Sequence, residues 1–228
     1  MEINILHLIE GAKNAKGLTV VIDVFRAFSL AAYAFNSGVD RIFPVGKVEE
    51  AFALRKLIPD ALIAGERNEQ KVEGFDFGNS PSEILSANLK GKTLIHTTSA
   101  GTQGLVNAVN ADVLITGSFV NADAIVQYIL TSRPEVVSLV CMGYAALHPI
   151  EEDTFCAVYI RDKLLGKNPD FLTMKNNIRS TSGQRFFDPE KQHYSPQKDF
   201  ELCLDLNCFD FIIRAFNMNK RLVLVVEK

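Results

Sequence analysis

Four short stretches hold the side chains that could do chemistry: "DVFRAFS" from Asp23, "GERNEQKVEGFDFGNSPSE" from Gly65, "TTSAGTQG" from Thr97 and "GSFVNAD" from Gly117. Each lies where a short apolar run gives way to a segment of helical period, and each mixes hydroxyl, amide or charged groups with small residues. At such a junction the free N–H groups of a helix start and the helix dipole attract an anion. Asn79, Ser80, Thr97, Thr98, Ser99, Ser118 and Asn121 are candidates to hold one. Taken singly, Thr97, Thr98, Ser99 and Asn121 could equally be helix caps, and Ser80-Pro81-Ser82-Glu83 has the spelling of a capping box. Asp76 and Asn79, just upstream, are not required by a cap.

An anion cup has no use for Asp23, Glu66, Asp76, Glu152 and Asp153 unless a cation comes between them. Mg2+ suits that place, being a hard ion that takes carboxylate and phosphate oxygens together. It would neutralise a phosphate and orient a water for attack. Arg26 or Arg67 could then stabilise the charge of a transferring phosphoryl group.

Other phosphate and metal chemistries fail on spelling. "GKT" at Gly91 to Thr93 is no P-loop, because Ser86 stands where the first glycine belongs and the triplet precedes a strand. Asp23 lacks the second aspartate that haloacid-dehalogenase-like phosphatases carry two residues on; Phe25 is there instead. His7, His96, His148 and His193 have no zinc-ligand spacing with one another or with cysteine.

The elements that must position these groups follow from the apolar pattern. Runs rich in Val, Ile and Leu ("INILHL", "LTVVIDV", "RIFPV", "ALIAG", "KTLIHT", "DVLITG", "VVSLVCM") alternate with helical segments. This is the pattern of an α/β protein with a mostly parallel, buried sheet. "RAFSLAAYAFNSG" reads as a helix closed by Gly38, "KVEEAFALRKLI" as one closed by Pro59, and "NADAIVQYILTS" as one capped by Asn121. After Pro149 come a helical "IEEDTFCAVYIRDKLLG", a polar loop "RSTSGQRFFDPEKQHYSPQKD" and a final strand "RLVLVVEK" expected at a sheet edge. The loop is long enough for a functional flap, and its Ser182, Gly183 and Arg185 favour that role.

The chain of 228 residues reads as one α/β domain, 1–228, and its net charge of −3 gives no electrostatic case for nucleic acid. No apolar run approaches the roughly 20 residues of a membrane span, and the N-terminal "MEINILHLIEG" lacks a signal peptide's basic start and cleavage site. A cytoplasmic location is expected, and a homo-oligomer is compatible with the sequence. Cys141, Cys156, Cys203 and Cys208 are expected to be buried free thiols.

Together, "VVIDVFRAFS", "GERNEQKVEGFDFGNSPSE", "TTSAGTQG", "GSFVNA" and "EEDTFCA" resemble the 2-phosphosulfolactate phosphatase family, in family order from about Val20 to Ala157. "SGQRFF" and "DFELCLDLN" extend the similarity towards the C-terminus. The resemblance implies a three-layer α/β/α sandwich with a mostly parallel, mixed central sheet. It also implies a Mg2+-dependent phosphatase that converts 2-phosphosulfolactate, a small anionic phosphate ester, to sulfolactate on a route to coenzyme M. The matching positions are Asp23 and Arg26; Glu66, Arg67, Asp76, Asn79 and Ser80; Thr97, Thr98, Gly101 and Thr102; Ser118 and Asn121; and Glu152 with Asp153. Many relatives read T-N-G-T-R where this chain has Ser99 to Gln103, so an arginine that could hold a sulfonate is missing. A related phosphatase for another phosphorylated hydroxy acid, or a non-catalytic anion-binding protein, are the alternatives.

Overall fold

The structure, a computed structural model, describes residues 1–228. In chain order its elements are β1 (Glu2–His7), α1 (Leu8–Asn14), β2 (Gly17–Ile22), α2 (Ala27–Asn36), β3 (Arg41–Pro44), α3 (Val48–Leu57), β4 (Leu62–Arg67) and β5 (Gln70–Lys71). They continue with α4 (Pro81–Leu85), β6 (Thr93–Thr97), α5 (Gly101–Asn107), β7 (Ala111–Gly117), α6 (Ala122–Ser132), β8 (Val136–Cys141) and α7 (Glu151–Leu164). The chain closes with α8 (Phe171–Ser180), α9 (Gln197–Cys203), β9 (Ile212–Met218) and β10 (Arg221–Glu227).

All ten strands form one sheet in the order β1-β8-β2-β7-β9-β10-β3-β6-β4-β5. β1, β8, β2 and β7 pair in parallel, as do β3, β6 and β4, and the antiparallel β9–β10 hairpin joins the two blocks. Three antiparallel pairings lie between β7 and β3, so the two blocks run in opposite directions. In a flat sheet their carboxyl ends would point apart. One core holds them together: Val21 and Val140 from the first block and Ile42, Ala64 and Leu94 from the second pack on the same cluster as Phe28, Leu30 and Leu105 of α2 and α5. The sheet therefore wraps around α1, α2, α4 and α5, and the carboxyl ends of β2, β8, β4 and β6 meet.

Strand alternation supplies the other layer. Val20, Ile22, Leu139 and Cys141 face away from the inner helices, towards α6, α7, α8 and α9, while Phe43, Ile63 and Ile95 pack on α3. The result is a three-layer α/β/α arrangement. α2 is buried along its length from Ala27 to Phe35, as expected of a helix apolar on all sides. It ends at Gly38, whose φ of +91° suits a residue without Cβ.

The run "RLVLVVEK" lies inside the sheet, between β9 and β3, and not at its edge. Asn219 and Lys220, with φ of +52° and +65°, make the two-residue turn that doubles β9 back onto it. The polar loop is also more ordered than its composition suggests, with short 3-10 turns at Gln184–Phe187 and Pro189–Lys191, and Phe186 wholly buried. The four cysteines are free thiols, but Cys208 is exposed. No helix is long and apolar enough to cross a membrane.

Candidate active site

A cleft opens where the strand ends converge, lined from β2 by Asp23, Phe25 and Arg26, and from β4 and β6 by Glu66, Asn68, Glu69, Ser99 and Ala100. Asn79, Gly143, Tyr144, Ala145, Ile150 and Arg185 complete its walls.

On the β2 side, Asp23 is 4% exposed, and its Oδ1 accepts the Ala27 N–H at 3.1 Å, capping α2. Burial pushes its carboxyl up to about 6; the Ala27 N–H opposes the rise and the Glu66 charge adds to it. Glycine is required at position 101, since a Cβ there would stand 2.7 Å from both Asp23 Oδ2 and the Ala27 Cβ. Behind this wall, in the first turn of α7, Glu152 is wholly buried and neither of its oxygens has a hydrogen-bond partner. Burial pushes Glu152 up to about 7, the nearby Arg185 charge opposing and Asp23 adding. The next residue behaves differently. Asp153 accepts N–H groups from Val24 and Gly143, both at 2.8 Å, and so ties the ends of β2 and β8 together.

On the β4 side the buried carboxylate has all its partners. Glu66 accepts the Ser99 N–H at 2.7 Å and the Ser99 hydroxyl at 3.1 Å, and it takes the Glu69 N–H at 3.0 Å. These bonds fix the loop before α5 against the β4–β5 turn. Asn79 Oδ1 lies 3.2 Å from Nε2 of His96, and burial lowers that imidazole to about 4, which keeps it neutral. A neutral ring donates one N–H, and given to Asn79 Oδ1 it leaves the amide NH2 of Asn79 free for the cleft.

Two guanidinium groups reach the cleft. Arg26 Nη1 pairs with Asp199 Oδ2 at 2.8 Å, and both side chains are buried. Asp199 Oδ1 also accepts from the Ser80 hydroxyl at 3.0 Å and the Ser82 N–H at 2.9 Å. One buried carboxylate thus anchors Arg26 and the start of α4. The second group, Arg185, arrives from the C-terminal loop and pairs with Glu69 at 2.9 Å.

The structure brings together Asp23, Arg26, Glu66, Asn79 and Ser99 of the sequence candidates. Arg67 does not line the cleft. It follows Glu66 on a strand, so it points to the opposite face, where it donates to Gly46 O and to the Thr97 hydroxyl, which turns Thr97 away as well. Asp76 is engaged elsewhere, paired with Arg55 at 3.0 Å and accepting the Ile63 N–H. Thr98 and Thr102 cap each other across the start of α5. Ser118 shares a hydrogen bond with Ser29, and Asn121 donates to Phe211 O instead of capping α6. Ser80 does cap α4, accepting the Glu83 N–H, but Glu83 returns its bond to Gly78 N. Gln103 donates to Gly46 O and Thr98 O and is not on the cleft wall.

Glu69 lies in "GERNEQKVEGFDFGNSPSE" and Asp199 opens "DFELCLDLN", two stretches of the family resemblance, but neither residue was singled out within them. Asp199 sits in an amphipathic segment whose burial depends on tertiary packing. Arg185 was named with Ser182 and Gly183 as favouring a functional flap, and the structure brings it to the cleft wall. Among the acids, Asp23 and Glu152 have the most unused oxygen capacity and are the pair that could take a cation.

The family model described as 2-phosphosulpholactate phosphatase matches residues 3–217. A protein of Carboxydothermus hydrogenoformans named "Probable 2-phosphosulfolactate phosphatase" is 36% identical, covering 98% of this chain and 97% of its own length. Proteins with the same name from Caldanaerobacter subterraneus and Bacillus subtilis are 34% and 33% identical, each covering 87% of this chain and 87% and 86% of their own lengths. By this match over nearly its whole length and these relatives, the chain belongs to the 2-phosphosulfolactate phosphatase family, a family of phosphoric monoester hydrolases.

Proposed function

We propose that the protein hydrolyses 2-phosphosulfolactate to sulfolactate and phosphate, with Mg2+ as cofactor, in the cleft between Asp23 and Arg26. The observation that carries this reading is the meeting of a buried strand-end carboxylate with two guanidinium groups in one cleft. The family relationship supplies the ester class. On this reading the product enters the route to coenzyme M in the cytoplasm.

The carboxylates can be tested against Mg2+. No three acidic, histidine or cysteine side chains form a protein cage for a metal. Mg2+ needs less, because it keeps several waters and is bound through one or two carboxylates plus substrate phosphate. Glu152, with two buried oxygens that lack any partner, beside Asp23, fits that modest donor set. Asp153 and Asp76 do not, since backbone N–H groups and Arg55 occupy their oxygens. When bound, Mg2+ would offset the phosphate charge and orient an attacking water.

The chain's own groups do the rest. Arg26, fixed by Asp199, offers its guanidinium to the phosphoryl oxygens, where charge develops as the bond to the leaving oxygen lengthens. Ser99 and Asn79 line the same wall and orient the ester. Water adds to phosphorus, the P–O bond to the hydroxy acid breaks, and the leaving oxygen gains a proton.

The test is phosphate release from 2-phosphosulfolactate and from 2-phospholactate, which lacks the sulfonate, across a Mg2+ titration. Mg2+-dependent turnover that prefers the sulfonate ester is expected. Equal turnover of both esters would move the assignment to a broader hydroxy-acid phosphatase, and metal-independent turnover would remove the cofactor.

A further inference from the structure

The two guanidinium groups of the cleft are held in different ways. Arg26 and its partner Asp199 are 3% and 0% exposed, and Asp199 also holds Ser80 and Ser82. Moving Arg26 would strand a buried carboxylate, so this arginine is fixed. Arg185 has no such anchor. Its side chain and that of Glu69 are 15% and 21% exposed; its other hydrogen bond is a long 3.4 Å one from Nη2 to Phe25 O, and its guanidinium lies 5.0 Å from the centre of the Phe186 ring. Its Nε is buried without a partner.

Glu69 itself is placed to leave. It sits in the tight turn between β4 and β5, where Asn68 and Glu69 have φ of +53° and +67°. It lines the cleft and also a second, polar cleft next door, walled by Lys71, Ser82 and His193. Lys71 there is paired with Glu83 at 3.6 Å, so a carboxylate released from Arg185 has a solvated, polar place to turn into.

We propose that Glu69 holds, in the free enzyme, the position of the substrate's second anionic group. When the acidic ester binds, Arg185 exchanges the Glu69 carboxylate for the sulfonate or carboxylate of the substrate. Arg185 is then the specificity-determining residue and Glu69 its internal competitor. This rests on the phosphatase reading of the same cleft. The electrostatics require some such exchange, because Asp23, Glu66 and Glu69 already place negative charge there and the Arg26 charge is offset by Asp199. A substrate with a second anion needs a cation that can be freed, and Arg185, although its charge lies near buried Glu152, is ion-paired only with the part-exposed Glu69.

The experiment measures KM and kcat for 2-phosphosulfolactate and for phenyl phosphate, which has no second anion, in the wild type, Arg185→Gln, Arg185→Lys and Glu69→Gln. Calorimetric binding of sulfolactate is measured in the same proteins. Arg185→Gln is expected to raise KM for the acidic ester by at least about tenfold more than for phenyl phosphate, the range of a lost charge-assisted hydrogen bond. Arg185→Lys recovers part of that loss, and Glu69→Gln tightens sulfolactate binding. An equal loss on both esters, or weaker sulfolactate binding in Glu69→Gln, overturns the assignment. If the glutamine variant of Arg185 does not fold, Arg185→Lys and Glu69→Gln decide it. A wild type that turns over neither ester removes the phosphatase reading, while sulfolactate binding still decides the role of Arg185.

Discussion

The two walls of the cleft treat their carboxylates in opposite ways. On the β4 and β6 side, Glu66 is saturated by one hydroxyl and two backbone N–H groups, and His96 is buried and neutral beside Asn79. On the β2 and β8 side, Asp23 is raised to about 6, and Glu152 has no hydrogen bond to either oxygen. A satisfied polar group stabilises the fold and holds shape; an unsatisfied one costs stability and is available to a ligand. One wall is a frame, and the other holds the reactive capacity.

The contrast can be broken most severely at the one buried acid shared by both sides. Asp199→Ala leaves Arg26 buried without its counter-charge and frees the start of α4, so it should cost about 3–5 kcal/mol in denaturant unfolding. The pH dependence of stability should then separate the walls. His96 is lowered from 6.5 to about 4, so the unfolded state binds more protons between those values. Its contribution is complete above the unfolded pKa and is lost as pH falls towards 4, on the order of 3 kcal/mol. His96→Gln should flatten that acid limb. Glu152 has the reverse sign. Raised from 4.5 to about 7, it holds its proton more tightly when folded, so its cost grows as pH rises and is full above about 7. Glu152→Gln should therefore stabilise the metal-free protein at pH 8, by about 1–2 kcal/mol, with little effect at pH 4. The same substitution should abolish the rise in Tm that Mg2+ gives the wild type. The smallest effect belongs to Arg67, which bonds only the frame. Arg67→Ala should lower stability by about 1 kcal/mol per lost bond and change kcat by less than about threefold.

Much of the fold was legible because parallel strands buried on both faces spell themselves as unbroken Val, Ile and Leu runs, as β2, β4, β6 and β8 do. β9 was not, since Arg214 and Asn217 interrupt its apolar pattern, and the interior place of β10 depends on that unseen partner. The site was legible where a residue follows a strand directly, as Asp23 and Ser99 do. Arg67 could have been excluded by alternation alone, because Glu66 beside it must face the other way. The roles of Asp199 and Glu69, and the pairing of Arg185, were out of reach for another reason. Their meaning comes from partners 173, 116 and 160 positions away in sequence, and no local pattern encodes such a pairing. Ser118 and Asn121 match family motifs but serve the interior, a distinction that only packing reveals.

The division between frame and reactive wall is tested most directly by phosphate release from 2-phosphosulfolactate in Asp23→Asn and Glu66→Gln, measured side by side at saturating Mg2+. Asp23→Asn should lose about a thousandfold or more in kcat while folding as stably as the wild type or more so. Glu66→Gln should lose far less, with lower stability from its weakened loop bonds. Wild-type turnover in Asp23→Asn, or equal losses in the two variants, would contradict the division.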